Sequence, residues 1–231
     1  MPASRTIKRA AEAALCQQRH PPRTSRPLRG NEEHQYPAAH EPLVGSVTMP
    51  WTIERKHDHV AVVTMNTNKV NAQNPAFFDD LHAAFDRLEL EFSDCAVVLT
   101  GSGSAFSAGL DFDHHFPLFA RQSLDEIDAW FEAYRGTNLR LFTYPRPTVA
   151  AINGHAYAGG LITAFGCDHR IASEGALQFS LNEVPIGIPM PAVYCEIIKH
   201  AIGPRAASEL TLFGQVYDIA AALKMGVIGK T

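Results

Sequence analysis

A chain of 231 residues, 46% of them hydrophobic, has the material for one globular core, and its formal net charge of −4 gives no overall field for nucleic acid. No uninterrupted apolar run approaches the roughly 18 residues of a membrane-spanning helix. Cys16, Cys95, Cys167 and Cys195 are far apart and form no CxxC pair, which leaves zinc and dithiol redox motifs unsupported, and three of them lie in apolar segments and are expected to be reduced core thiols, as in a cytoplasm-like compartment.

The charge is uneven. Residues 1–48 hold seven Lys/Arg against four Asp/Glu and are rich in Pro and His. They show no usable periodicity, so a disordered basic extension is expected. Its Arg-rich, acid-poor front resembles an organellar transit peptide, which would direct the chain to a mitochondrion or another organelle. The alternative is upstream sequence, with Met49 as the true start. Residues 49–231 form the expected domain.

From Met49 the elements follow in order. "WTIERKHDHVAVVTM" reads as two strands joined by a turn at His57–Asp58. "PAFFDDLHAAFDRLELEF" begins with Pro75 and repeats apolar residues at 77, 81, 85, 88 and 92, one buried face of a helix. "CAVVLTG" is a buried strand. Ser123 and Glu126 form a capping box that opens a helix, and Trp130, Tyr134 and Leu141 continue its apolar face. "PTVAAINGH" is another buried strand, and "HRIASEGALQFSL" holds two short strands around Glu174–Gly175. Two helices follow, one closing on Gly203 and one opening at Pro204. Strand and helix alternate, so the fold class is α/β with helices outside a sheet core.

Two glycine-rich segments need a separate account. "LTGSGSAFSAGLDFD" leaves a buried strand through small residues and enters an apparent helix, and "INGHAYAGGLITAFG" does the same. The first is not a phosphate loop. The Gly-Lys-Ser/Thr ending is absent, Gly101, Gly103 and Phe106 give GxGxxF rather than GxGxxG, and no GxSxG elbow occurs. Ser104 and Ser107 have no distinctive base beside them. Adjacent His114 and His115 do not share a helix face, so no metal site is expected. The start of a helix presents unpaired N–H donors, and two such starts facing one point would make an oxyanion hole.

"AFSAGLD" and "INGHAYAGGLITAFGCDHRIAS", in that order, resemble the two signature segments of the crotonase family, the enoyl-CoA hydratases and isomerases. "NTNKVNAQNPAFFDDL" and "LQFSLNEVPIGIPMP" extend the resemblance from about Met49 to the C-terminus. It implies a crotonase-like spiral of strand–strand–helix repeats. It also implies an acyl-CoA thioester whose carbonyl is held by two backbone N–H groups, carried over to Ala108 and Gly159. Gly160 would permit the tight turn beside Gly159. The implied CoA surface includes Lys69, Val70, Ala72, Ala108, Leu110, Asp111, Gly159, Gly160 and Ile162, with Lys69 facing phosphate. By its residues alone, Asp111 reads as a local cap. Asp168 is expected to pair near Arg170. Coenzyme A is part of the substrate, and no separate cofactor or metal is expected. The resemblance implies a homotrimer or hexamer, and relatives continue past "AAALKMGVIGKT" with further helices that support trimer contacts, so the helical C-terminal part is expected to be truncated.

Hydratases of this family hold a water between two glutamates. The first falls here on Ile162, which cannot ionise, and the second on Glu183. Moving a double bond needs only one base, which takes a proton from C2 and returns it to C4. The isomerases of the family show this single-glutamate pattern, so Δ3-to-Δ2 enoyl-CoA isomerisation is the expected reaction. Leu181, Val184, Ile186 and Ile162 are expected to make the surroundings of Glu183 apolar and raise its pKa. The alternatives are a hydratase or a thioester hydrolase on the same scaffold, and an inactive acyl-CoA-binding homologue.

Overall fold

The computed structural model describes residues 51–231, so the expected extension 1–48 lies outside the described residues. The first hairpin pairs β1 (Thr52–Lys56) with β2 (Val60–Met65) in antiparallel fashion, turning through His57–Asp58 as expected. Helix α1 (Pro75–Glu91) follows. The Asn74 side chain caps it by accepting from Phe77 N–H at 3.0 Å, and Pro75 occupies its first turn. Its inner face buries Phe77, Leu81, Ala84, Phe85 and Leu88.

Three strand–strand–helix turns come next. β3 (Ala96–Gly101) leads to β4 (Ala105–Ser107), then to α2 (Phe112–Phe119) and α3 (Leu124–Phe142). β5 (Thr148–Ile152) leads to β6 (His155–Tyr157) and α4 (Gly159–Phe165). β7 (His169–Ala172) leads to β8 (Phe179–Ser180), a 3-10 turn at Val184–Ile186 and α5 (Ala192–Ile202). In each turn the first strand joins a five-stranded sheet ordered β1-β2-β3-β5-β7, and the second joins a three-stranded parallel sheet ordered β4-β6-β8. Helices α6 (Pro204–Phe213) and α7 (Ile219–Met225) complete the described chain.

Two details differ from the sequence reading. Residues 105–107 form a strand where only a loop and a helix were expected. The strands flanking Glu174–Gly175 do not pair with each other: β7 pairs with β5, and β8 with β6. The six residues between them carry the chain from one sheet to the other, a link that sequence periodicity does not register.

The large sheet is apolar on both faces, as parallel sheets covered on both sides are. Ala61, Val63, Val97, Leu99, Ala150 and Ile152 face the main core beneath the helices. Val60, Val62, Val98, Val149, Ala151 and Ile171 form a second cluster. The expected capping box at the start of α3 is present: Ser123 Oγ accepts from Glu126 N–H at 3.3 Å, and Glu126 Oε2 accepts from Ser123 N–H at 2.8 Å.

Candidate active site

The exits of β4 and β6 converge. Beyond β4 the chain runs beside residues 70–73. Ala108 N–H donates to Val70 O at 3.0 Å, Gln73 N–H to Gly109 O at 2.8 Å, and Asp111 N–H to Gln73 O at 3.2 Å. These bonds make a parallel bridge between Gln73 and Leu110. In such a bridge the residues flanking Leu110 make the bonds, so the N–H and carbonyl of Leu110 itself face the opposite side. Among the described residues, the Leu110 N–H has no acceptor. Gly109 adopts φ +82°, which favours glycine, and a Cβ there would stand 2.7 Å from Gly159 N and 2.9 Å from Tyr157 O. The missing side chain thus keeps the space before the Gly159 amide open.

The second arm begins after β6. Ala158 takes φ 48° and ψ −126°, a combination that costs a non-glycine residue roughly 1–3 kcal/mol. Its N–H donates to Ser180 O at 2.8 Å, which holds the turn in place. The turn starts α4 at Gly159, whose N–H has no acceptor within the helix. The two glycines serve different contacts. A Cβ on Gly160 would collide with the Ser107 carbonyl, so Gly160 allows α4 to lie directly on β4. A Cβ on Gly159 would stand 2.5 Å from Gln73 Oε1 and 2.6 Å from the Tyr134 hydroxyl.

Leu110, Gly159, Ile162 and Glu183 line one cavity, together with the rings of Phe112, Phe131, Tyr134 and Tyr194 and the segment 188–191. Its empty volume is about 450 Å³, part of it open to solvent. Glu183 is the only carboxyl on this lining. Its backbone carbonyl accepts from Ile186 N–H at 3.1 Å and Ile188 N–H at 2.9 Å, which fixes its position at the head of the 3-10 turn. Its Oε2 is buried without a hydrogen-bond partner among the described residues. Burial pushes the carboxyl up to about 7, against a smaller lowering by a backbone hydrogen bond of its own. Tyr134 donates to Gln73 Oε1 at 3.2 Å. Burial, then the nearby Tyr194 and Glu183, push the Tyr134 phenol well above its ordinary range, so it stays protonated. Burial likewise raises Tyr194, which accepts from Asn138 Nδ2 at 3.3 Å.

Of the residues expected at the site, Leu110, Gly159, Ile162 and Glu183 are brought together, whereas Lys69, Val70, Ala72, Ala108, Asp111 and Gly160 lie off the cavity lining. Lys69 and Val70 sit on an exposed turn, where Asn68 Oδ1 accepts from Val70 N–H at 3.1 Å and Ala72 N–H at 3.0 Å. The Ala108 N–H is committed to Val70 O, so the donor expected there is not free; the free N–H on this arm belongs to Leu110. Asp111 caps α2 by accepting from His114 N–H at 3.2 Å. Val184 and Ile186 are 37% and 51% exposed and Leu181 is in the core, so of the expected apolar neighbours only Ile162 faces Glu183's cavity. The 3-10 turn points its own side chains outward. Asp168 accepts from Thr148 N–H at 2.8 Å and Thr148 Oγ1–H at 3.0 Å, while Arg170 donates to the carbonyls of Val227 and Cys167. Asp168 was expected to pair near Arg170; its hydrogen-bond partner is instead Thr148 on β5.

His115 is buried, and its Nε2 meets the Gln73 carbonyl at 2.9 Å, which requires the proton on that nitrogen. Among the described residues there is no cluster of three or more potential metal ligands. No helix among them is long and apolar enough to cross a membrane. The sequence reading missed Gln73, Phe112, Phe131 and Tyr194 as site residues and took Tyr134 for plain core. Tyr134's place on the apolar face of α3 was visible; what its hydroxyl meets was not.

A family model described as enoyl-CoA hydratase/isomerase matches residues 55–231. A provisionally named enoyl-CoA hydratase of Thermus thermophilus is 35% identical over 184 residues, 77% of this chain and 70% of that protein. Human mitochondrial enoyl-CoA delta isomerase 1 is 31% identical over 173 residues, 74% of this chain and 56% of that protein. Among solved structures, an enoyl-CoA hydratase from Bacillus anthracis superposes with a TM-score of 0.69 at 26% identity, covering 78% of this chain and 69% of that one. The alignments thus span between about half and three quarters of these relatives.

Proposed function

From the premise that the chain belongs to the enoyl-CoA hydratase/isomerase family, we propose that it moves the double bond of an enoyl-CoA thioester from Δ3 to Δ2. The observation that carries this reading is the single carboxyl of the cavity. Glu183 stands there with a raised pKa and an unpartnered oxygen, and Ile162 occupies the place where a second acid would be needed.

The thioester carbonyl oxygen is received by the N–H groups of Leu110 and Gly159. Glu183 takes a proton from C2, and the electron pair moves onto the carbonyl oxygen as an enolate. Each well-placed donor contributes about 3–4 kcal/mol to that species. The enolate then collapses through the conjugated system, C4 takes the proton back from Glu183, and the double bond lies between C2 and C3. A base with a pKa near neutrality suits both transfers, because it accepts and returns the proton at similar cost. The proposal uses no separate cofactor, since coenzyme A arrives with the substrate.

Hydration is the second reading, favoured by the names of two of the relatives above. It needs a group beyond Glu183 to orient water, and the other titratable side chains of the lining are the phenols of Tyr134 and Tyr194. Turnover of 3-enoyl-CoA and 2-enoyl-CoA, each with the Glu183→Gln variant as control, separates the readings. Isomerisation that disappears in the variant supports the proposal. Hydration of 2-enoyl-CoA at a comparable rate reverses the order. Tight acyl-CoA binding without either reaction leaves a binding protein.

A further inference from the structure

Gln73 touches both arms of the site. Its main chain makes the bridge to Leu110, through Gln73 N–H to Gly109 O at 2.8 Å and Asp111 N–H to Gln73 O at 3.2 Å. Its side chain reaches the other arm, where Nε2 donates to Gly159 O at 3.1 Å and to Thr163 Oγ1 at 2.9 Å. Oε1 accepts from the Tyr134 hydroxyl at 3.2 Å. The residue is 1% exposed, and all the polar atoms of its side chain are paired.

This pairing has a purpose beyond filling the core. The Gly159 N–H shares its planar peptide with the Ala158 carbonyl, which accepts from Leu161 N–H at 2.9 Å and Ile162 N–H at 3.0 Å, so α4 holds that side of the glycine; the other side has no Cβ, and its carbonyl is the group that Gln73 Nε2 grips. The space that its missing side chain leaves is filled by Gln73 Oε1 and the Tyr134 hydroxyl. We propose that Gln73 is the positioning residue of the oxyanion hole, holding the Gly159 amide in register with that of Leu110. The inference deepens the function proposed above and rests on it.

The two halves of Gln73 are separable by substitution. Changing its side chain leaves the backbone bridge, and so the Leu110 donor, in place. It releases the Gly159 arm and the Tyr134 hydroxyl that packs beside it. The defect therefore falls on the enolate and spares ground-state binding of the CoA portion. Misplacing one donor by about 1 Å costs on the order of 10²-fold in rate.

The test uses the whole chain with Gln73→Met, which keeps the length of the side chain and removes its donor and acceptor. A second variant, Gln73→Glu, has the same size and loses the donor to Gly159 O; it is read by the same criteria if Gln73→Met fails to fold. The probe is 3-oxobutanoyl-CoA, whose C2 proton is acidic and whose enolate absorbs in the near ultraviolet. The wild-type chain is expected to enolise the bound probe. The variant is expected to lose roughly 10²-fold in the enolisation constant and in kcat, while KM and the Kd of saturated butanoyl-CoA change less than about threefold. Equal enolisation by wild type and variant overturns the role of Gln73 and leaves the proposed function standing. A parallel loss of enolisation and butanoyl-CoA binding also overturns it, since that marks a merely structural residue. Failure of the wild-type chain to enolise the probe overturns the oxyanion-hole reading, and the role of Gln73 with it.

Discussion

Replacing Glu183 with Gln preserves the size of the side chain and removes its titration. In the folded protein, burial raises this carboxyl from 4.5 to about 7. The unfolded chain has the ordinary value. The folded state therefore favours the protonated form. The stability linked to this proton is fully present below about pH 4.5, declines as pH rises, and is lost above about pH 7. At about 1.36 kcal/mol per pKa unit, the full range is roughly 3 kcal/mol. The variant side chain does not titrate, and any cost of seating its amide is the same at every pH. The stability of Glu183→Gln relative to wild type should thus rise by roughly 2.5 kcal/mol between about pH 5 and pH 8.5. Comparing the variant with wild type also cancels Asp80, a second carboxyl that burial raises, to about 6. Urea unfolding at the two pH values, with linear extrapolation, measures the difference. A difference that does not change with pH would show that Glu183 is solvated in the folded chain, and the account of the cavity would fail.

In the proposed reaction the same carboxyl sets the pH dependence of activity. Since Glu183 must be ionised to take the proton, kcat/KM should fall about tenfold per pH unit below about 7 and level off above it, read from initial rates across pH. A Gly109→Ala variant should lose activity by about 10²-fold or more and stability by roughly 1–3 kcal/mol, because the new Cβ strains a left-handed residue and stands before the Gly159 amide; thermal melts and initial rates check both. An Ile162→Glu variant places a second carboxyl in the cavity, and the ratio of 2-enoyl-CoA hydration to isomerisation should rise at least about 10-fold. Product analysis by chromatography measures that ratio.

Much of this was legible in the chain itself, for reasons that are local. Pro75 at the head of its segment, and Ser123 with Glu126, announce helices through local signals that need no tertiary partner. The apolar spacing at 77, 81, 85 and 88 is the buried face of α1. Glu183 became visible through the family resemblance, and its burial through the structure. What stayed hidden depends on long-range pairing. The commitment of Ala108 N–H to Val70 O needs a segment 38 residues earlier to lie alongside, so the choice between Ala108 and Leu110 as donor could not be made from "SAGLD". β4 is three residues long and finds its partners only on β6. Gln73 reads as an ordinary polar residue before a helix, and its role emerges only where Gly159, Thr163 and Tyr134 meet it, 61 to 90 residues away in sequence.

In the proposed reaction one carboxyl carries one proton along the acyl chain over an enolate held by two amides. The most direct measurement is the turnover of a 3-enoyl-CoA deuterated at C2, with the product analysed by mass spectrometry and NMR. Deuterium appearing at C4 of 2-enoyl-CoA, with turnover abolished in Glu183→Gln, is the predicted result. Turnover that survives in Glu183→Gln, or a wild-type product that is hydrated rather than isomerised, would contradict it.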